Sequence, residues 1–72
     1  MTLQELLRLI SDEEQDCKLE IDEGEDKEYS YLPFWLSDFR DNCSRANGCK
    51  DYIVTGFRIE IGSKLIIEVK KI

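Results

Sequence analysis

Histidine is absent from this 72-residue sequence, which removes the commonest general base and the commonest nitrogen ligand of zinc together. The three cysteines, Cys17, Cys43 and Cys49, contain no CxxC pair, so a structural zinc would need a further ligand such as an acid. Glycine occurs four times and proline once, and neither a phosphate-cradling glycine motif nor a nucleophile elbow can be assembled from them. Asp22, Gly24, Asp26 and Glu28 resemble a calcium loop superficially, but they miss the EF-hand glycine and its terminal glutamate. Carboxylates are so abundant that any two of them say nothing about acid–base catalysis. No enzyme activity, metal or cofactor is expected.

Long apolar runs are missing too. Nothing approaches the roughly 18 residues that cross a bilayer, and Glu5 stands where a signal peptide would continue. An odd number of thiols leaves at least one unpaired, which fits a reducing compartment, so a cytoplasmic protein is expected. Cys43 and Cys49 are near enough in sequence to bridge under oxidation, but spacing alone does not supply the geometry. Bases are the minority, with 10 against 16 acids and a net charge of −6. That balance argues against direct nucleic-acid binding, which needs a basic footprint, and against anionic membranes.

What is present is a chain able to fold. Hydrophobic residues make up 42% and charged ones 36%, outside the disordered regime, and the length suits one domain spanning 1–72. Charge is unevenly spread. Residues 12–28 hold ten acids against Lys18 and Lys27, whereas residues from 29 onward hold five acids against seven bases.

Thr2 with Glu5 forms a capping box, and Met1 with Leu6 occupies staple positions, so a helix starts here. Leu3, Leu6, Leu7 and Ile10 carry its apolar stripe over 3–10. Cys17, Leu19 and Ile21 alternate with Lys18, Glu20 and Asp22, a strand with one wet face, and 29–32 supplies the returning strand. Pro33 suits the first turn of a second helix over 33–43, striped by Leu32, Leu36, Phe39 and Cys43. Residues 44–48 form a loop. Tyr52 to Ile61 and Leu65 to Ile72 make a terminal hairpin. Phe57, Ile59 and Ile61 meet Leu65, Ile67 and Val69 on one face only if residues of like parity pair. The expected register therefore sets Ile61 opposite Leu65 and Arg58 opposite Glu68, with a bulge as the alternative. The fold class is α+β, a small antiparallel sheet of about four strands in two hairpins with two short helices on one face.

Two surfaces stand out for binding. Asp16, Glu20 and Asp22 share the wet face of the first strand, and with Glu23, Glu25, Asp26 and Glu28 they form an acidic row suited to a basic protein surface. A solvated face that keeps a small protein soluble is the plain alternative. Five of the seven aromatics, Tyr29, Tyr31, Phe34, Trp35 and Phe39, fall within eleven residues. They are needed for the core, yet Phe34, Trp35 and Leu36 in succession cannot all point inward, and Trp35 is the candidate for partner contact. A homodimer through an edge strand or the aromatic helix is the second functional reading.

The Thr2-Leu3-Gln4-Glu5-Leu6-Leu7 start and the Lys64-Leu65-Ile66-Ile67-Glu68-Val69-Lys70 strand resemble small proteins encoded by bacterial phages and mobile elements. The resemblance covers the two ends of the chain. It implies an acidic, non-enzymatic inhibitor of the anti-CRISPR or other anti-defence kind, acting by occluding a nucleic-acid-binding surface. It transfers no functional residues.

Overall fold

The period-two alternation of Cys17, Leu19 and Ile21 yields β1, Asp16–Asp22, whose odd-numbered side chains are all buried. In the computed structural model, which describes residues 1–24 and 29–71, β1 pairs antiparallel with β2, Tyr29–Trp35. The terminal hairpin is β3, Ile53–Glu60, against β4, Lys64–Lys70. Both expected hairpins form, and the fold is α+β. The sheet is mixed rather than wholly antiparallel, because the hairpins join through a parallel pair of β1 with β4, giving the order β2-β1-β4-β3. Parallel pairing lets Leu19 and Ile21 stand beside Ile67 and Val69 on the core face.

The first helix is α1, Leu3–Leu7, shorter than the apolar stripe suggests. Its capping box is formed, with Glu5 N–H donating to Thr2 Oγ1 and Thr2 N–H to Glu5 Oε1. Leu3 and Gln4 donate to the carbonyls of Tyr52 and Lys50, which satisfies first-turn donors and docks the helix beside the start of β3. Met1, at the staple position, stays mostly exposed.

The second helix is α2, Leu36–Arg40, so its start at Pro33 is corrected. Pro33 instead lies in β2 opposite Lys18. An edge strand tolerates the missing N–H, and the extended run sends Phe34 inward and Trp35 outward. The Leu36 and Ser37 N–H groups donate to the carbonyls of Gln15 and Glu13, which fixes the helix start there. At the other end Asn42, at φ 58°, takes the left-handed position that closes the helix. Cys43 N–H then bonds Asp38 O at 2.8 Å and Asn42 N–H bonds Phe39 O, so Cys43 leaves the stripe and is exposed. The expected loop after it contains a 3-10 turn, Arg45–Cys49, capped by Ser44 and Asn47.

Like parity pairs in the terminal hairpin, with a three-residue loop, as the apolar faces require. The register differs by two: Ile59 faces Leu65, Glu60 faces Lys64, and Arg58 faces Ile66 rather than Glu68. The loop is Ile61-Gly62-Ser63, which places both positive-φ residues, Gly62 and Ser63, inside the turn and sets opposite charges at its base. A register shift between Val54 and Gly56 adds a bulge, which lets Val54 and Phe57 lie on the same side despite unlike parity.

Leu3, Leu7, Leu36, Phe39, Ala46 and Cys49 cover one face of the sheet, packing on Cys17, Leu19, Ile21, Phe34, Leu65, Ile67 and Val69. Phe34 and Phe39 meet with ring centroids 5.9 Å apart. The opposite face is open. Helical cover ends before β3, so Phe57 and Ile59 remain about two-thirds exposed.

Candidate functional site

Strand alternation builds the open face. Residues of β1 and β2 that face each other there are Asp16 with Trp35, Lys18 with Pro33, Glu20 with Tyr31, and Asp22 with Tyr29. Carboxylates on one strand thus stand beside aromatic rings on the next, with same-strand neighbours about 6.6 Å apart. Tyr29, Tyr31 and Trp35 are all more than half exposed. One ring already holds a cation, since Lys18 Nζ lies 4.9 Å from the centre of the Tyr31 ring.

The expected acidic row is brought together in part. Asp16, Glu20 and Asp22 share this face. Glu23 lies beyond the end of β1 and pairs with Lys71 at 3.9 Å, while Glu25, Asp26 and Glu28 fall outside the described residues. Bases from the later half of the chain lie over the early acids. Lys64 is 3.8 Å from Asp16, and Arg58 bonds Glu20 through both terminal nitrogens, the shorter at 2.6 Å. That hydrogen bond holds the Glu20 carboxyl below its ordinary range and raises Arg58. Pairing of this kind weakens the gathered negative field expected of the acidic row, because bases from the later half of the chain are interleaved with it.

Trp35 marks the richest place. A concavity of about 280 Å³ is lined by Asp12, Glu14, Gln15, Asp16, Trp35, Gly62 and Ser63. The acidic turn before β1 forms one wall, with Glu14 N–H bonded to Asp12 Oδ1 at 3.0 Å. Gln15 forms another, donating to the carbonyls of Asp16 and Ser63 and so tying β1 to the terminal hairpin loop. Three carboxylates therefore surround one exposed indole. Sequence alone does not mark Asp12, Glu14, Tyr29 or Tyr31 as partner contacts. The spacing Tyr29-Tyr31-Pro33-Trp35 carries the signal that could have found the tyrosines, once Pro33 is read as strand.

The thiols do not converge. Cys17 and Cys49 are buried and Cys43 is exposed, and all three are free. Among the described residues, no three acids or thiols gather into a metal-holding cluster, and no helix is long and apolar enough to cross a membrane. No family model, curated protein or solved structure matches the chain.

Proposed function

We propose that this protein is a non-catalytic binding module whose aromatic and carboxylate ladder takes arginine or lysine side chains from a basic protein surface. The observation that carries the reading is the placement of exposed Trp35 beside Asp16, over a concavity also walled by Asp12 and Glu14. A guanidinium stacks on an indole face while its edge donates to carboxylates, so ring and acid together favour arginine over lysine. Lys18 on Tyr31 is the same contact made within the chain.

The inhibitor form of this reading specifies the target further: a protein whose basic surface holds nucleic acid, and which loses that ligand when the ladder covers it. The resemblance to phage-type anti-defence proteins supports that form. Homodimerisation, the second reading, draws on a different strand.

Trp35 is the only tryptophan, so its fluorescence reports occupancy directly. Titration with an arginine-rich peptide should shift that emission and saturate, with weaker binding to the lysine counterpart. Asp12→Asn combined with Glu14→Gln should weaken it on the order of 10-fold, as two partly screened charges are lost. An emission spectrum indifferent to millimolar peptide would remove the proposal.

A further inference from the structure

The outer edge of β3 is the least protected part of the molecule. Phe57 and Ile59 point to the core side of the sheet but extend past its helical cover, and Ile61 in the adjoining loop is fully exposed. The opposite sheet edge, β2, contains Pro33, whose missing donor interrupts any further pairing. On β3 the N-terminal segment occupies only the beginning of the edge, where Thr2 bridges Ile53 and Val54 N–H donates to Met1 O at 2.8 Å. From Thr55 to Glu60 the described residues supply no outer partner.

Backbone direction on that stretch follows from the turn. Glu60 turns its carbonyl inward, accepting from Ser63 N–H at 3.1 Å. Successive residues of an antiparallel strand alternate between its two sides, so Ile59 and Phe57 present their N–H and C=O groups outward. The groups that could extend the sheet therefore belong to the residues with exposed apolar side chains.

We propose that this edge pairs antiparallel with β3 of a second copy, across a twofold axis at Ile59. The sequence of the strand selects both the occupant and the register. An axis at Arg58 would set arginine against arginine, and one at Glu60 would set glutamate against glutamate. An axis between residues would pair unlike parity and turn the two apolar faces apart. With the axis at Ile59, Arg58 faces Glu60 of the second copy and Glu60 faces its Arg58, so no like charges meet on the open face, each guanidinium staying on its own Glu20. On the other face Ile59 meets Ile59, and each Phe57 comes to the loop residue Ile61 of the other copy. Strand pairing stops there, because Ile61 to Ser63 form the turn, well before it reaches Met1. The result is a continuous eight-stranded sheet whose six formerly exposed apolar side chains cover one another. This surface is separate from the ladder on β1 and β2.

Sedimentation equilibrium from about 1 to 100 µM tests the proposal, a range that brackets dissociation constants typical of modest interfaces. A Cys43→Ser background keeps the exposed thiol from linking copies. A reversible monomer–dimer equilibrium is expected. Ile59→Lys should weaken it on the order of 100-fold by placing two unpaired charges at the axis, with circular dichroism unchanged, and with thermal unfolding matching the parent's at concentrations where both are monomeric. Glu60→Lys should weaken it on the order of 10-fold by opposing two bases. Ile59→Cys should crosslink on mild oxidation, as paired Cα atoms lie about 5.5 Å apart, whereas Ile53→Cys should not. Trp35→Ala, which disables the ladder, should leave association intact. Monomer mass at every concentration overturns the proposal, as does a dimer that survives Ile59→Lys, fails to crosslink at position 59, or is lost in Trp35→Ala.

Discussion

Arg58 on β3 grips Glu20 on β1 at 2.6 Å although β4 runs between their strands. The two side chains together span two strand spacings, about 9.6 Å, passing over β4 where Ile66 and Glu68 lie. Ile66 is fully buried although it belongs to the open face, outside the main core cluster. Arg58 and Lys18 flank Ile66 on that face, where their long stems can lie against it, while the charged end of Arg58 collects Glu20, Glu60 and Glu68.

Two substitutions should separate these roles. Glu20→Gln removes charge and leaves the stem, and should lower unfolding free energy in urea by about 1 kcal/mol. Arg58→Ala also removes the stem beside Ile66, and should lose more than Glu20→Gln does. Equal losses in the two variants would show that the stem contributes nothing. Since Arg58 depresses the folded-state value of Glu20 below the ordinary 4.5, the pair's contribution is whole above that pH. It should vanish as pH falls through the depressed value, and Glu20→Gln should flatten that part of the acid-unfolding curve.

Thiol chemistry should divide the cysteines by position. Burial, with a smaller push from the Asp16 charge, raises Cys17 to about 11, and burial also raises Cys49. Cys43 on the surface should react with a disulfide reagent at pH 8 well before the other two, which should wait for unfolding. A raised thiol value in the folded state means that stability is whole below the unfolded value of 9.0 and declines as pH climbs toward 11. Cys17→Ala should reduce that alkaline loss, measured as melting temperature against pH.

Arg40 joins the two helices. Nη2 donates to the carbonyls of Leu7, at 3.2 Å, and Ile10, and Nη1 lies 3.5 Å from Glu13. Leu7 is the last residue of α1 and Ile10 lies just beyond it, so the arginine gathers carbonyls at the helix end, where α-helical partners run out. Arg40→Met keeps the stem and removes the donors, and should cost about 1.5–3 kcal/mol. Faster amide exchange confined to α1 and the following turn would be its signature.

Leu19 sits at the middle of the sheet with no exposure. Leu19→Ala should cost about 2–5 kcal/mol through lost contacts and a residual cavity. A domain this small holds only about 3–5 kcal/mol in its core, so the variant should be largely unfolded at 37 °C by circular dichroism. A cooperative melt close to the parent's would contradict that reading.

Much of this architecture can be read from local patterns. Thr2 and Glu5 announce the first helix, the alternation after Asp16 announces β1, and the apolar parity of β3 and β4 demands a three-residue loop. Periodicity reports which face a side chain takes but not which strand lies beside it, so the parallel union of β1 with β4 has no signal in either segment. Pro33 misleads because a helix start and an edge strand both tolerate its missing donor, and only the pairing with Lys18 decides. The hairpin register is displaced because parity fixes only which faces meet: pairing Glu60 with Lys64 satisfies it as well as pairing Ile61 with Leu65 does, and sets opposite charges at the base of the loop. At the candidate site, the carboxylate row of β1 was legible, along with the need for one of Phe34, Trp35 and Leu36 to face outward. The partnering of those acids by Arg58 and Lys64 was not, because it depends on strand order.

The parallel seam between residues 17–22 and 65–70 also governs when the molecule can come into being. β4 follows β3 in the chain yet occupies an interior position, so the first hairpin lacks its neighbour until residues near 70 are in place. Until β4 arrives, any partner that pairs with the free edge of β1 competes with it for the same backbone groups.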